Sequence, residues 1–192
     1  MTKLYFKYGT MNSSKTANLL MVAHNYISQN RKVLLIKPQC DIRWGETNLI
    51  SSRVGTSMEA DIVLAPDVSN INAFLVDVSC VLVDEAQFLS TDNINMLRNI
   101  AMTIPVMCWG LRTDYITKLF EGLKRLMEVA DSIQEVKTIC VVCERKSIVN
   151  AKFTIDQGAG KIIIKNNDSK NQVDLGSEDK YQPMCWQCWQ ES

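Results

Sequence analysis

Lys3-Leu4-Tyr5-Phe6-Lys7-Tyr8-Gly9-Thr10-Met11-Asn12-Ser13-Ser14-Lys15-Thr16 decides how the chain is read. A run of β-formers (Leu4, Tyr5, Phe6, Tyr8) meets Gly9, then a loop of small residues, then Lys15-Thr16 opening a helical pattern. This is the strand–loop–helix layout of a phosphate-binding loop, G-x-x-x-x-G-K-[ST], with Gly9, Lys15 and Thr16 in register. Ser14 stands where the second glycine belongs. Backbone N–H groups of residues 9–14 and the helix N-terminus would cradle phosphate oxygens. Lys15 would reach the β- and γ-phosphates of ATP, and the Thr16 hydroxyl would bind Mg²⁺.

Downstream, Leu19, Val22, Ala23, Tyr26 and Ile27 recur at helical spacing, so a helix is expected to end near residues 29–30. Val33-Leu34-Leu35-Ile36, stopped by Pro38, suits a strand buried on both faces. Residues 39–59 are polar and turn-rich and form a long excursion, of the kind that is usually functional. Ile62-Val63-Leu64 predicts a strand, residues 70–78 a helix, and Cys80-Val81-Leu82-Val83 a strand ending in Asp84-Glu85. Helices over 92–101 and 117–130 bracket a strand over 104–109, and Val136 to Val142 reads as the last good strand. Strands alternating with helices argue for an α/β fold with a mostly parallel sheet covered on both faces, the P-loop (RecA-like) class.

The acids complete the first motif. A phosphate-loop enzyme needs a carboxylate at the end of a nearby strand to hold Mg²⁺, and Asp84 fits. Glu85 is then free to act as base on the attacking nucleophile. From about Thr138 the texture changes: Cys140/Cys143 and Cys185/Cys188 form two Cys-x-x-Cys pairs with a polar stretch, residues 165–171, between them. Two such knuckles close a tetrahedral Zn²⁺ site, structural because four sulfurs leave no open position. The chain is therefore expected to divide into a P-loop α/β domain over residues 1–137 and a small zinc-ribbon domain over 138–192. Cys80 and Cys108 read as buried inert thiols. His24, the one histidine, falls near the polar face of the first helix, away from any catalytic scheme.

Composition bounds the function. The formal net charge is +0, with 46% hydrophobic and 22% charged residues, so nothing draws the chain in bulk toward nucleic acid or an anionic membrane. No apolar run approaches the roughly 18 residues of a membrane span. Without the marks of a signal peptide, the chain is expected to be cytoplasmic.

These motifs, together with Val83-Asp84-Glu85-Ala86-Gln87-Phe88, Gly110-Leu111-Arg112-Thr113-Asp114-Tyr115, Lys180-Tyr181 before the second cysteine pair, Asp41-Ile42-Arg43 and Ser51-Ser52-Arg53-Val54-Gly55, resemble the type II (cellular-type) thymidine kinases in their bacterial branch. The resemblance runs nearly end to end and implies transfer of the ATP γ-phosphoryl group to the 5′-hydroxyl of thymidine. By likeness Glu85 is the base, Asp84 supports Mg²⁺, Gln87 belongs to the same nucleotide-facing segment, and Asp41 and Arg43 lie near the donor phosphates. A lasso loop rooted at the zinc site, here Gln172, Val173, Asp174, Leu175 and Gly176, holds the nucleoside largely through backbone groups. Tyr181 packs near the base, and Tyr115 stands where the family usually has Phe against thymine, with Phe88 close by. Met11 and Leu111 match residues lining the 5-methyl pocket. The resemblance also implies a homotetramer inhibited by dTTP. The competing readings are a nucleic-acid-stimulated ATPase, disfavoured by zero net charge and the lack of a basic–aromatic stripe, and a nucleotide-binding module impaired by Ser14.

Overall fold

β1 (Leu4–Gly9) runs inside a sheet, with Leu4 and Phe6 fully buried. The computed structural model describes residues 2–41, 48–156, 160–165 and 180–192; Arg43 and the lasso positions Gln172, Val173, Asp174, Leu175 and Gly176 lie outside them. The main sheet also contains β2 (Lys32–Pro38), β5 (Ile62–Leu64), β6 (Val78–Val83), β7 (Val106–Leu111) and β8 (Ser132–Glu135). Its order is β5-β2-β6-β7-β1-β8, and every pairing is parallel. A wholly parallel sheet needs cover on both faces, which is why the interior strands read as continuous apolar runs.

Alternation along each strand sorts the core into two layers. Leu34, Ile36, Val81 and Val83 pack with Ile94 and Leu97 of α2 (Thr91–Ile100) and with Leu123 and Leu126 of α3 (Glu121–Val129). On the other face Val33, Leu35, Leu82 and Trp109 pack with Leu19, Leu20 and Ala23 of α1 (Lys15–Ile27). Cys80 and Cys108 are fully buried, as expected of inert thiols, and burial pushes the Cys80 thiol up to about 11. His24 is exposed on α1.

A second, antiparallel sheet is built from β9 (Val149–Asp156), β10 (Gly160–Ile164) and β11 (Tyr181–Met184) in the order β10-β9-β11. With the short α4 (Trp186–Glu191) it encloses its own apolar cluster of Cys140, Val149, Ala151, Met184, Cys185 and Trp189. A hairpin of β3 (Leu49–Ser51) and β4 (Ser57–Glu59) occupies part of the long excursion.

Three expected elements are corrected. Residues 70–78 form only a 3₁₀ turn at Asn72–Phe74. There Asn70 turns its side chain onto the Asn72 N–H, a local bond that competes with helix, while Phe74 and Val76 stay exposed. The strand expected over Val136–Val142 lies earlier, as β8 beside β1. Val136 makes a last bond to the Tyr8 carbonyl, after which the chain leaves the sheet and Val141 and Val142 stand exposed on the first cysteine knuckle. α3 begins at Glu121 rather than near 117, because Asp114 accepts from the N–H groups of Ile116 and Lys118 and holds a tight turn.

Among the described residues no helix is long and apolar enough to cross a membrane.

Candidate active site

The loop after β1 folds as its motif demands. Gly9 carries no side chain because a Cβ there would lie 2.4 Å from Ser13 Oγ and 2.5 Å from the Val136 carbonyl oxygen. Lys15, buried at the start of α1, donates to the Thr10 carbonyl at 2.8 Å and to Ser13 Oγ at 3.4 Å, so its ammonium curls back into the loop. Asn12 and Ser14 both adopt left-handed backbone, Ser14 at φ 61° and ψ 28°. That is the conformation glycine supplies at no steric cost. Ser14 adopts it while still giving its carbonyl to the Asn18 N–H at 2.9 Å, and its exposed side chain caps nothing. The loop therefore forms with serine in the glycine position, at a local energetic cost.

The two acids at the end of β6 part company. The Thr16 hydroxyl donates to Asp84 at 3.0 Å, although the strand of the loop and the strand of the acid are separated by β7. Asp84 is 2% exposed. A hydroxyl and a carboxylate side by side at the mouth of a phosphate loop are an oxygen donor set suited to Mg²⁺. Glu85, 6% exposed, sits in left-handed backbone at φ 47°, and its carboxylate meets a different partner from its neighbour's. Gln87 Nε2 donates to Glu85 Oε2 at 2.5 Å, and Gln87 Oε1 accepts the Leu111 N–H at 2.9 Å. One amide thus ties Glu85 to the last residue of β7. Gly110 makes this possible: a Cβ there would lie 2.8 Å from Gln87 Oε1.

In the loop after β7, Tyr115 is nearly buried, with its ring centroid 6.4 Å from that of Tyr181. Leu111 and Met11 are half-buried. Phe88 packs edge-on against Phe120 at 5.6 Å, at the border of the core. Asp41 is buried 3.4 Å from the ammonium of Lys37, which also donates to the Leu49 carbonyl. Removing one partner of a buried pair costs about 3–5 kcal/mol, so Asp41 has a structural duty too.

The small sheet and the segment leading into it reach the phosphate loop through residues outside any sequence motif. Thr10 and Ser147 share a hydroxyl–hydroxyl bond of 2.8 Å. Asn150 Oδ1 accepts the Met11 N–H at 2.7 Å, while its Nδ2 donates to the Thr113 carbonyl at 2.8 Å. Asn150 is 2% exposed, and it pins the phosphate loop and the 110–115 loop together. The signal for it was alternation: Val149 and Ala151 face the small core, so Asn150 and Lys152 leave the opposite face of the strand.

The ligand atoms of Cys140, Cys143, Cys185 and Cys188 all lie within 4.8 Å of one another, with Cys143 and Cys185 sulfurs 3.6 Å apart. A tetrahedral site with metal–sulfur bonds of about 2.3 Å has edges of about 3.8 Å, which this cluster fits. The N–H groups of Val142 and Cys188 point at the sulfurs of Cys140 and Cys185. Burial pushes the Cys140 thiol up, but the N–H groups of Cys185, Val142 and Cys143 outweigh it and hold it down at about 6. Within the same cluster the side-chain contacts of Cys143 and then Cys185 push the Cys188 thiol the other way, up, so the main-chain N–H groups favour the thiolate at Cys140 in particular. It is the donor set of a structural metal such as zinc.

A family model described as thymidine kinase matches residues 2–189. The chain is similar to the thymidine kinase of Streptococcus pyogenes serotype M6, with 39% identity over 191 residues, 96% of this chain and 95% of the other. It is also similar to the thymidine kinase of Lactiplantibacillus plantarum, with 38% identity over 193 residues, 96% of this chain and 94% of the other. Among solved structures, a Bacteroides Pif1 bound to ssDNA superposes with a TM-score of 0.40 at 12% identity over 71% of this chain and 38% of its own, a likeness too low to carry any argument.

Proposed function

The chain belongs to the thymidine kinase family, whose members are ATP-dependent phosphotransferases, and from that premise we propose how its residues divide the reaction. Residues Gly9, Thr10, Met11, Asn12, Ser13 and Ser14 cradle the ATP phosphates with backbone N–H groups, and Lys15 swings from the Thr10 carbonyl onto them. Thr16 and Asp84 would hold Mg²⁺, which would supply charge neutralisation for the ATP phosphates. Glu85 takes the proton of the thymidine 5′-hydroxyl as that oxygen bonds to the γ-phosphorus and the bond to the ADP oxygen breaks. Gln87 holds the Glu85 carboxylate. Tyr115, Tyr181, Leu111 and Met11 enclose the base, Phe88 backs them through the core, and Gln172, Val173, Asp174, Leu175 and Gly176 close over the nucleoside with backbone groups. Asp41 and Arg43 complete the donor side.

The observation that carries this assignment is the divergence of the adjacent acids, with Asp84 on the Thr16 hydroxyl and Glu85 on Gln87. Metal support and proton abstraction need two carboxylates with different partners, and Asp84 and Glu85 have them. The test is turnover of labelled thymidine with ATP and Mg²⁺. Glu85→Gln is expected to lower kcat by about 10²–10⁴ while thymidine still binds by calorimetry. Turnover retained in that variant would strip Glu85 of the role.

The cysteine cluster holds Zn²⁺, which supplies folding free energy and no chemistry. The small zinc unit spans residues 138–192 and the nucleotide unit residues 1–137. On family likeness alone, the protein acts in the cytoplasm as a homotetramer and is inhibited by dTTP. Sedimentation and a dTTP titration of the activity test the last two.

A further inference from the structure

Lys152 has no part in the assignments above. It lies on β9 two residues beyond Asn150, so both side chains leave the same face of the strand, and it pairs directly across from Tyr181 of β11. Its Nζ stands 5.0 Å from the ring centroid of Tyr115 and 6.0 Å from that of Tyr181. The two rings are tilted by 58°. One ammonium therefore serves two aromatic rings that come from different parts of the fold, Tyr115 from the loop after β7 and Tyr181 from the small sheet.

A cation over an aromatic face is drawn to the negative side of the ring quadrupole, the more strongly where water is excluded. Tyr115 is only 4% exposed, so its contact with Lys152 is made largely out of water. The two rings belong to elements far apart in the chain, and an aromatic slot works only if both walls keep their tilt. We propose that Lys152 is a positioning residue for the acceptor nucleoside, its ammonium holding Tyr115 and Tyr181 in one arrangement against the base. This rests on the reading that these two tyrosines enclose thymine. Lys152 acts through the rings and touches no reacting atom.

The experiment is steady-state kinetics of Lys152→Met, which keeps the aliphatic stem and removes the charge, beside Lys152→Arg and Tyr115→Ala. Lys152→Met is expected to raise the thymidine KM about five- to tenfold, with kcat and the ATP KM within about twofold of the parent. Lys152→Arg is expected to restore the thymidine KM, because a guanidinium stacks on ring faces at least as well as an ammonium. An unchanged thymidine KM in Lys152→Met, with a raised one in Tyr115→Ala, overturns the inference and leaves the site reading standing. An unchanged thymidine KM in both variants overturns the site reading and the inference with it. A joint rise of both substrates' KM values that Arg does not rescue marks a purely structural lysine and also overturns it. Should Lys152→Met fail to fold, Lys152→Gln is read by the same criteria.

Discussion

Replacing Ser14 by glycine should stabilise the folded protein more than it helps ATP. Left-handed backbone costs a residue with a Cβ about 1–2 kcal/mol, and Ser14 occupies it at φ 61° and ψ 28°. Its side chain is exposed and caps no N–H, so nothing is lost when it goes. Against the relief stands the greater freedom of glycine in the unfolded chain, worth about 0.5–1 kcal/mol. The difference leaves a net gain of about 0.5–1 kcal/mol, or about 1–4 °C in Tm for a chain of this length. The strain is present in the folded loop before any nucleotide arrives. Only the crowding of phosphate by the Cβ therefore remains to affect ATP, and the ATP KM is expected to fall by less than about threefold. Calorimetry of the parent, Ser14→Gly and Ser14→Ala tests this. Alanine keeps the Cβ and removes the hydroxyl, so it should gain nothing. A Ser14→Gly protein that melts at or below the parent temperature, or an alanine variant that gains as much, would refute the argument.

Three further outcomes are expected. Gly110→Ala drives a Cβ toward Gln87 Oε1, 2.8 Å away, and should lower kcat/KM for thymidine at least about tenfold by shifting the amide that holds Glu85; unchanged kinetics would show that this link is dispensable. Cys188→Ser should take the metal content, measured by plasma mass spectrometry, from about one ion per chain to nearly none and lower Tm with it. The N–H of Leu4, and then Arg98, hold the Asp131 carboxyl below its ordinary value of 3.8. A depressed carboxylate stabilises the fold above its unfolded value and loses that contribution as pH falls through the folded one. Asp131→Asn should therefore be less stable than the parent in urea at pH 7, and the gap should narrow below about pH 4.

What could be read from the sequence followed from how local each signal is. The phosphate loop, the acids after β6 and the cysteine pairs are set by residues within one or two turns of each other, and each stands where its spacing puts it. The runs around Val33–Ile36 and Val81–Val83 were equally plain, because strands in a parallel sheet are apolar on both faces. β9 and β11 were missed for the opposite reason. One face of β9 packs on a small core while the other carries Asn150 and Lys152, and its partner Tyr181–Met184 lies far along the chain. An apolar run misled as well. Residues 136–142 look like a strand, yet Cys140 is committed to the metal cluster, so β8 forms just before them and Val141 and Val142 stay outside.

That division bears on what the small sheet is for. A metal staple distant from the chemistry would suffice if its only task were to anchor a loop over the nucleoside. Instead the segment leaving the first knuckle places Ser147 on Thr10 and Asn150 on both Met11 and Thr113, with bonds of 2.7–2.8 Å. The phosphate loop and the loop after β7 are thereby registered to one strand, the same strand whose next outward residue stands over Tyr115. Phosphoryl transfer is catalysed chiefly by placement, and misplacement of about 1 Å costs on the order of 10²-fold. On the proposed assignment, one strand rooted at the cysteine cluster would touch the donor loop, the acceptor loop and the aromatic pair and would fix their relative positions. In that proposal the cysteines would contribute to rate through geometry, without approaching either substrate.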